Sequence, residues 1–145
     1  FVEKVKDISE YLVELTIDTN MGRIEKRVTY QDSCHLAHAQ RIKDQPRELM
    51  AMIPGLELVE MPGSDRCCGA AGVYQITQRE MSYRLLQSKM NDVTSTNAEL
   101  VVTANPGCMI QLDSGLKERG IPGRSFHIVE LLDWAYSLAD TKSSA

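Results

Sequence analysis

Leu100-Val101-Val102-Thr103-Ala104-Asn105-Pro106-Gly107-Cys108 decides the fold. Its first five residues are nearly all apolar or β-branched, which describes a strand covered on both faces rather than one half-exposed to water. Asn105 then supplies an N-cap, Pro106 suits the first helical position, and Cys108 falls at the third. The helix runs to about Arg119 and closes at Gly120. A covered strand that passes at once into a helix is the repeating unit of a parallel sheet.

Working outward, the same order recurs. Residues 28–30 are a β-rich run, after which Asp32 is placed to cap a helix that starts at Ser33 and carries Cys34 in its first turn. Pro46 restarts helix as far as Met52, and Pro54-Gly55 ends it. Residues 56–61 form a second run, leading through Pro62-Gly63-Ser64-Asp65 into Arg66-Cys67-Cys68-Gly69-Ala70-Ala71-Gly72. Thr77-Gln78-Arg79-Glu80 reads as a capping box, with Ile76 and Met81 as its hydrophobic staple, and opens a helix to about Val93 that turns Met81, Leu85 and Val93 inward. Residues 124–128 are a fourth run, before a helix carrying Leu131, Leu132, Ala135 and Leu138.

At the N-terminal side, Val5, Ile8, Leu12 and Leu15 make one apolar stripe on a helix over residues 2–15. The lead-in to residue 26 is irregular, with Asn20-Met21-Gly22 as a turn between two short strands. Residues 140–145 are small and polar and read as a frayed tail. The expectation is an α/β fold: a mostly parallel β-sheet flanked by helices, a Rossmann-like layered domain with its cysteines at the C-terminal ends of strands. Residues 1–145 read as a single domain. It opens in amphipathic rhythm without an initiator Met, as a fragment of a longer chain would.

At 145 residues, 43% hydrophobic and 25% charged, the chain has enough apolar content for a core of its own. A net charge of −4 with both signs intermixed argues against nucleic acid, which is met by clustered Lys and Arg. No apolar run approaches the roughly 20 residues of a membrane span, and no signal peptide is present. The chain therefore reads as cytoplasmic, where four cysteines point to metal rather than to disulfides.

Those four are Cys34, the adjacent pair Cys67-Cys68, and Cys108. Each group follows a different strand, so the parallel arrangement brings them to one end of the sheet. Cys34 and Cys108 are expected at helix N-termini, where the dipole lowers a thiol pKa. The Gly- and Ala-rich loop after Cys67-Cys68 lets backbone N–H groups approach sulfur. Four thiolates suit a tetrahedral zinc or an iron–sulfur cluster. The absence of a Cys-x-x-Cys knuckle favours the cluster, with zinc, no metal, or a labile Cys67-Cys68 disulfide as alternatives.

Asp32-Ser33-Cys34-His35-Leu36-Ala37-His38, the run from Ile53 to Glu60, Asp65-Arg66-Cys67-Cys68-Gly69 with Gly72, and Asn105-Pro106-Gly107-Cys108 together resemble a known family. This is the cysteine-rich CCG domain, found in heterodisulfide reductase, in lactate-utilisation proteins and in the glycolate oxidase iron–sulfur subunit, whose C-terminal part is most similar. The resemblance implies an iron–sulfur centre of the 4Fe-4S type, ligated by Cys34, Cys67, Cys68 and Cys108. It also implies electron transfer in a glycolate oxidase complex: electrons come from flavin-containing subunits and pass toward the respiratory chain. The chain itself would turn over no substrate, and zinc or an empty site is the alternative state of the isolated fragment. Association with the inner face of the cell membrane would be peripheral, through the complex. One position departs from the family: Asn105 replaces the first cysteine of the terminal Cys-x-x-Cys, which removes a ligand of the five-cysteine, non-cubane cluster type.

Around these ligands, His35, His38, Gly69 and Asn105 are candidates for supporting contacts to the centre. His127 reads as structural and the seven Met residues as core filling. No P-loop, Gly-x-Gly-x-x-Gly or Ser-His-Asp order is present.

Overall fold

A computed structural model describes residues 5–143 of the chain. In order, its elements are α1 (Ile8–Glu14), β1 (Arg27–Gln31), a short π-helical turn (His35–Gln40), α2 (Asp44–Ala51), β2 (Glu57–Leu58), α3 (Tyr74–Thr77), α4 (Arg79–Ser95), β3 (Leu100–Thr103), α5 (Pro106–Glu118), β4 (Ser125–His127) and α6 (Ile128–Ser143). The strands lie in the order β2-β1-β3-β4 and every neighbouring pair is parallel. The expected layered α/β fold is what the chain adopts.

Alternation along the two central strands sorts the core into two layers. Val28 and Tyr30 of β1 and Val102 of β3 pack with Leu49 and Met50 of α2 and with Leu131, Leu132 and Ala135 of α6. Val101 faces the other way, onto Leu86, Met90 and Val93 of α4 and Leu112 and Leu116 of α5. β3 is thus buried on both sides, as its apolar sequence requires. Because β1 connects to β2 on one side and β3 to β4 on the other, the turns after β1 and β3 part from the sheet between them, where ligands of such folds bind.

Several local expectations are corrected. Asp32 does not cap a helix: Cys34 occupies that position, the turn after it is π rather than α, and the Asp32 carboxylate is taken by Arg47. The capping box at Thr77 is not formed, since Thr77 ends α3 and its hydroxyl donates to Val73 O, while Gln78 precedes α4 without a side-chain cap. A capping box does form at α1, where the Asp7 carboxylate accepts from Ser9 N and Glu10 returns a bond to Asp7 N. Ile76 and Met81 are exposed, and the inner face of α4 is Ser82, Leu86, Lys89, Met90 and Val93.

On α1, Leu12 packs on the core, whereas Val5, Ile8 and Leu15 are exposed and Ser9 is the buried residue. The part of that expected helix before residue 5 lies outside the described residues. β2 is only two residues long. No strand forms in the lead-in among the described residues; instead Met21 and Ile24 enter the core and Gly22 N donates to Ala135 O at 2.7 Å. The tail expected to fray from Asp140 continues as α6 to Ser143, and residues 144–145 lie outside the described residues.

Gly22 is where this lead-in locks onto α6. A Cβ there would lie 2.3 Å from Leu138 Cβ, 2.6 Å from Leu138 C and 2.8 Å from Ala139 N, and main-chain atoms cannot swing aside. Gly22→Ala should therefore cost about 2 kcal/mol, within the range for overpacking, read by urea denaturation. Unchanged stability would mean that the lead-in is not docked on α6.

Candidate metal centre

β1 and β3 are in register with Gln31 beside Thr103, so the chain leaves both strands at the same level. Cys34 follows Gln31 by one short turn, and Cys108 follows Thr103 through the Asn105 cap. The third segment, after β2, brings in Cys67 and Cys68. All four thiols are free, Cys68 and Cys108 buried and Cys34 and Cys67 half-buried. Cys34 feels the Cys67 sulfur and Cys108 the Cys68 sulfur, and the two pairs influence one another electrostatically.

A group of polar contacts between segments distant in sequence holds these turns. The buried Gln31 amide donates to Asp32 O at 2.6 Å and to Arg66 O at 3.2 Å, joining the Cys34 turn to the residue before Cys67. Asp32 N donates to Ser64 O at 3.1 Å. From α4, Lys89 Nζ donates to Gly63 O at 2.6 Å, and Ser82 Oγ to Gly69 O at 2.8 Å, with Gln111 of α5 donating to Ser82 Oγ. The Asn105 side chain accepts from Cys108 N at 3.1 Å, the cap that the sequence predicts.

Gly69 has φ +94°, and a Cβ there would sit 2.4 Å from Ser82 O. Only glycine lets the loop lie this close to α4. Its N–H donates to Cys67 Sγ at 3.3 Å, the amide-to-sulfur contact expected of this loop. His38 Nε2 bonds Asp65 O at 3.0 Å, and Lys43 pairs with the Asp65 carboxylate at 2.9 Å, holding that carboxyl below its usual range. His35 is exposed. Cys34, Cys67, His38 and Lys89 line a cleft of about 430 Å³.

The thiol electrostatics differ from the simple helix-dipole expectation. Cys34 is pushed up, first by burial and then by the nearby Cys67 sulfur. In the buried pair, the Cys108 thiol is pushed up, first by the Cys68 sulfur and then by burial. Cys68 is pulled down to about 7, first by the neighbouring Cys108 and also by the backbone N–H groups around it. Burial at Cys34, and the Cys68 sulfur at Cys108, thus outweigh the helix N-terminus. Among the described residues, no three His, Cys, Asp or Glu side chains are grouped to hold one metal ion.

A family model for a cysteine-rich domain, CCG, matches residues 28–113, from β1 into α5 and across all four cysteines. The chain belongs to the CCG cysteine-rich domain family. Among similar curated proteins, the probable glycolate oxidase iron–sulfur subunit of Bacillus subtilis (strain 168) is 46% identical, over 91% of this chain and 31% of its own length. A fumarate reductase (CoM/CoB) subunit of Methanothermobacter marburgensis is 37% identical over 92% of this chain and 27% of its own. Lactate utilization protein A of Lysinibacillus sphaericus is 31% identical over 90% and 58%. This CCG domain therefore spans between about a quarter and three fifths of the length of these relatives.

Residues that sequence reasoning missed in the CCG domain are the supports: Gln31, Arg47, Ser82, Lys89 and Gln111. Lys89 carried a legible signal, a lysine at the same helical face as Leu86 and Val93. Arg47 makes a bidentate pair with Asp32 at 2.9 Å and also bonds Glu60, while its guanidinium lies 5.2 Å from the Tyr30 ring. The Asp32 side chain is 2% exposed. Arg47→Met strands that carboxylate. It should cost about 3 kcal/mol, the low end for a broken buried pair because Arg47 is itself partly exposed, read by denaturant unfolding. A loss below about 1 kcal/mol would show that Asp32 finds water instead.

Proposed function

We propose that this CCG domain is an iron–sulfur electron-transfer domain, with Cys34, Cys67, Cys68 and Cys108 as the ligands of one cluster. What supports the reading is four free thiols placed in the turns after three parallel strands, together with the family of the chain. Soft thiolates select zinc or iron–sulfur centres, and a donor set spread over two pairs fits several irons better than one tetrahedral zinc. The residues present thus fit the group on donor chemistry. A bound cluster supplies reversible one-electron storage; the 4Fe-4S type is part of this proposal.

The chain's own residues supply the rest. Gln31, Lys89 and Asn105 fix the turns that present the sulfurs. Gly69 N–H donates to Cys67 Sγ, a contact of the kind that tunes cluster potentials. Burial of Cys68 and Cys108 keeps water from one side, and the cleft beside Cys34 and Cys67 leaves the other side approachable. His35, His38, Gly69 and Asn105 act around the centre rather than on it.

The names of the relatives support a place for this chain in a 2-hydroxy-acid oxidising complex of the glycolate oxidase kind. There it would take electrons from a flavin-containing subunit and pass them toward the respiratory chain, turning over no substrate alone. No helix among the described residues is long and apolar enough to cross a membrane, so contact with the inner face of the cell membrane would run through the complex. The alternative, a structural module with zinc or no metal, predicts a colourless protein.

The test is anaerobic purification with iron, sulfide and zinc measured per chain beside the visible spectrum. The expected result is stoichiometric iron and sulfide, with absorbance at about 400 nm from thiolate-to-iron charge transfer. Cys→Ser at each of the four positions should abolish or sharply reduce it. Stoichiometric zinc, or iron retained in all four variants, would contradict the assignment.

A further inference from the structure

Lys89 is 1% exposed, on the face of α4 that otherwise carries Ser82, Leu86, Met90 and Val93. An apolar residue is the default at such a position. Its ammonium donates to Gly63 O at 2.6 Å and Ser64 O at 3.4 Å, in the segment that leads to Cys67-Cys68. It has no ion pair among the described residues. The two carboxylates that line the cleft with it are engaged elsewhere: Asp92 pairs with Arg66 at 2.6 Å and Asp65 with Lys43 at 2.9 Å. Carbonyl dipoles compensate only part of the cost of burying an ammonium.

Arg66 and Lys43 thus cancel the acidic groups of the cleft, and Lys89 remains as a fixed positive charge beside the sulfurs. Burial drives its pKa down, while Asp92 and Cys68 pull it up. With a cluster bound, the four cysteines would bring four thiolates to this end of the sheet. A buried ammonium held only by two carbonyls among the described residues is explained if the centre is the group it faces.

The geometry points to Lys89 as a positioning residue for the centre: its ammonium holds the Gly63-Ser64 turn and supplies the fixed positive charge that favours the reduced cluster. This inference rests on the iron–sulfur reading above. Reduction adds an electron to an already anionic group, so a nearby positive charge raises the potential and its removal lowers it.

The test is a redox titration, followed by EPR and visible absorbance, of the anaerobically prepared full chain and of Lys89→Gln, Lys89→Met and Lys89→Arg. Gln and Met should lower the reduced-to-oxidised ratio at a fixed potential about tenfold, which is about 59 mV for one electron. Arg should restore most of the shift. Lys89→Met and Lys89→Gln should both lower the thermal midpoint, because the Gly63 and Ser64 carbonyls lose their donor, so the potentials are compared on the fraction of each variant that remains folded. Equal potentials in all four proteins would overturn the role of Lys89 while leaving the cluster reading intact. So would loss of the folded chain in both Gln and Met variants with Arg normal, which makes the lysine a fold residue only. A wild-type chain that takes up no iron and sulfide overturns the cluster reading, and this inference with it.

Discussion

Parallel pairing of β1 with β2 and β3 is the constraint on which the rest depends, because it sends the chain out of three strands at one edge of the sheet. An antiparallel partner would have carried its cysteine to the far edge. The register of β1 on β3, Gln31 beside Thr103, then brings Cys34 and Cys108 level, and the short β2 lets the loop after it fold back with Cys67 and Cys68. The cost is that three irregular turns, with their exposed backbone groups, must pack together where regular ladders end.

The side chains that meet this demand are mostly buried and polar. Gln31, Lys89 and Ser82 donate to carbonyls of the loops, and Asn105 accepts from the first turn of α5. Asp32 and Arg47 brace the Cys34 turn from the α2 side. The consequence is a buried thiol pair that splits: Cys108 is pushed up and Cys68 pulled down, each chiefly by the other.

Much of this was legible in the sequence, and for identifiable reasons. β3 and α5 could be read almost residue by residue, since an apolar strand, an Asn cap and a Pro at the first helical position all act locally. The placement of each cysteine after a parallel strand followed from topology alone. What could not be read depended on contacts across the fold. Asp32 looks like a helix cap until Arg47 arrives from α2 to take it, and Thr77 like a capping box until α3 forms before it. The stripe of α1 misled because residues 8 and 15 face away from the core that Leu12 enters. The roles of Gln31 and Lys89 lie in carbonyls some 25 to 35 positions away, which no local pattern encodes.

The most direct measurement is anomalous diffraction at the iron edge from crystals of anaerobically purified protein. The account predicts a compact group of iron peaks enclosed by the sulfurs of Cys34, Cys67, Cys68 and Cys108, with the Gly69 amide still directed at Cys67. Iron bound away from these four cysteines, or a single zinc among them, would contradict it.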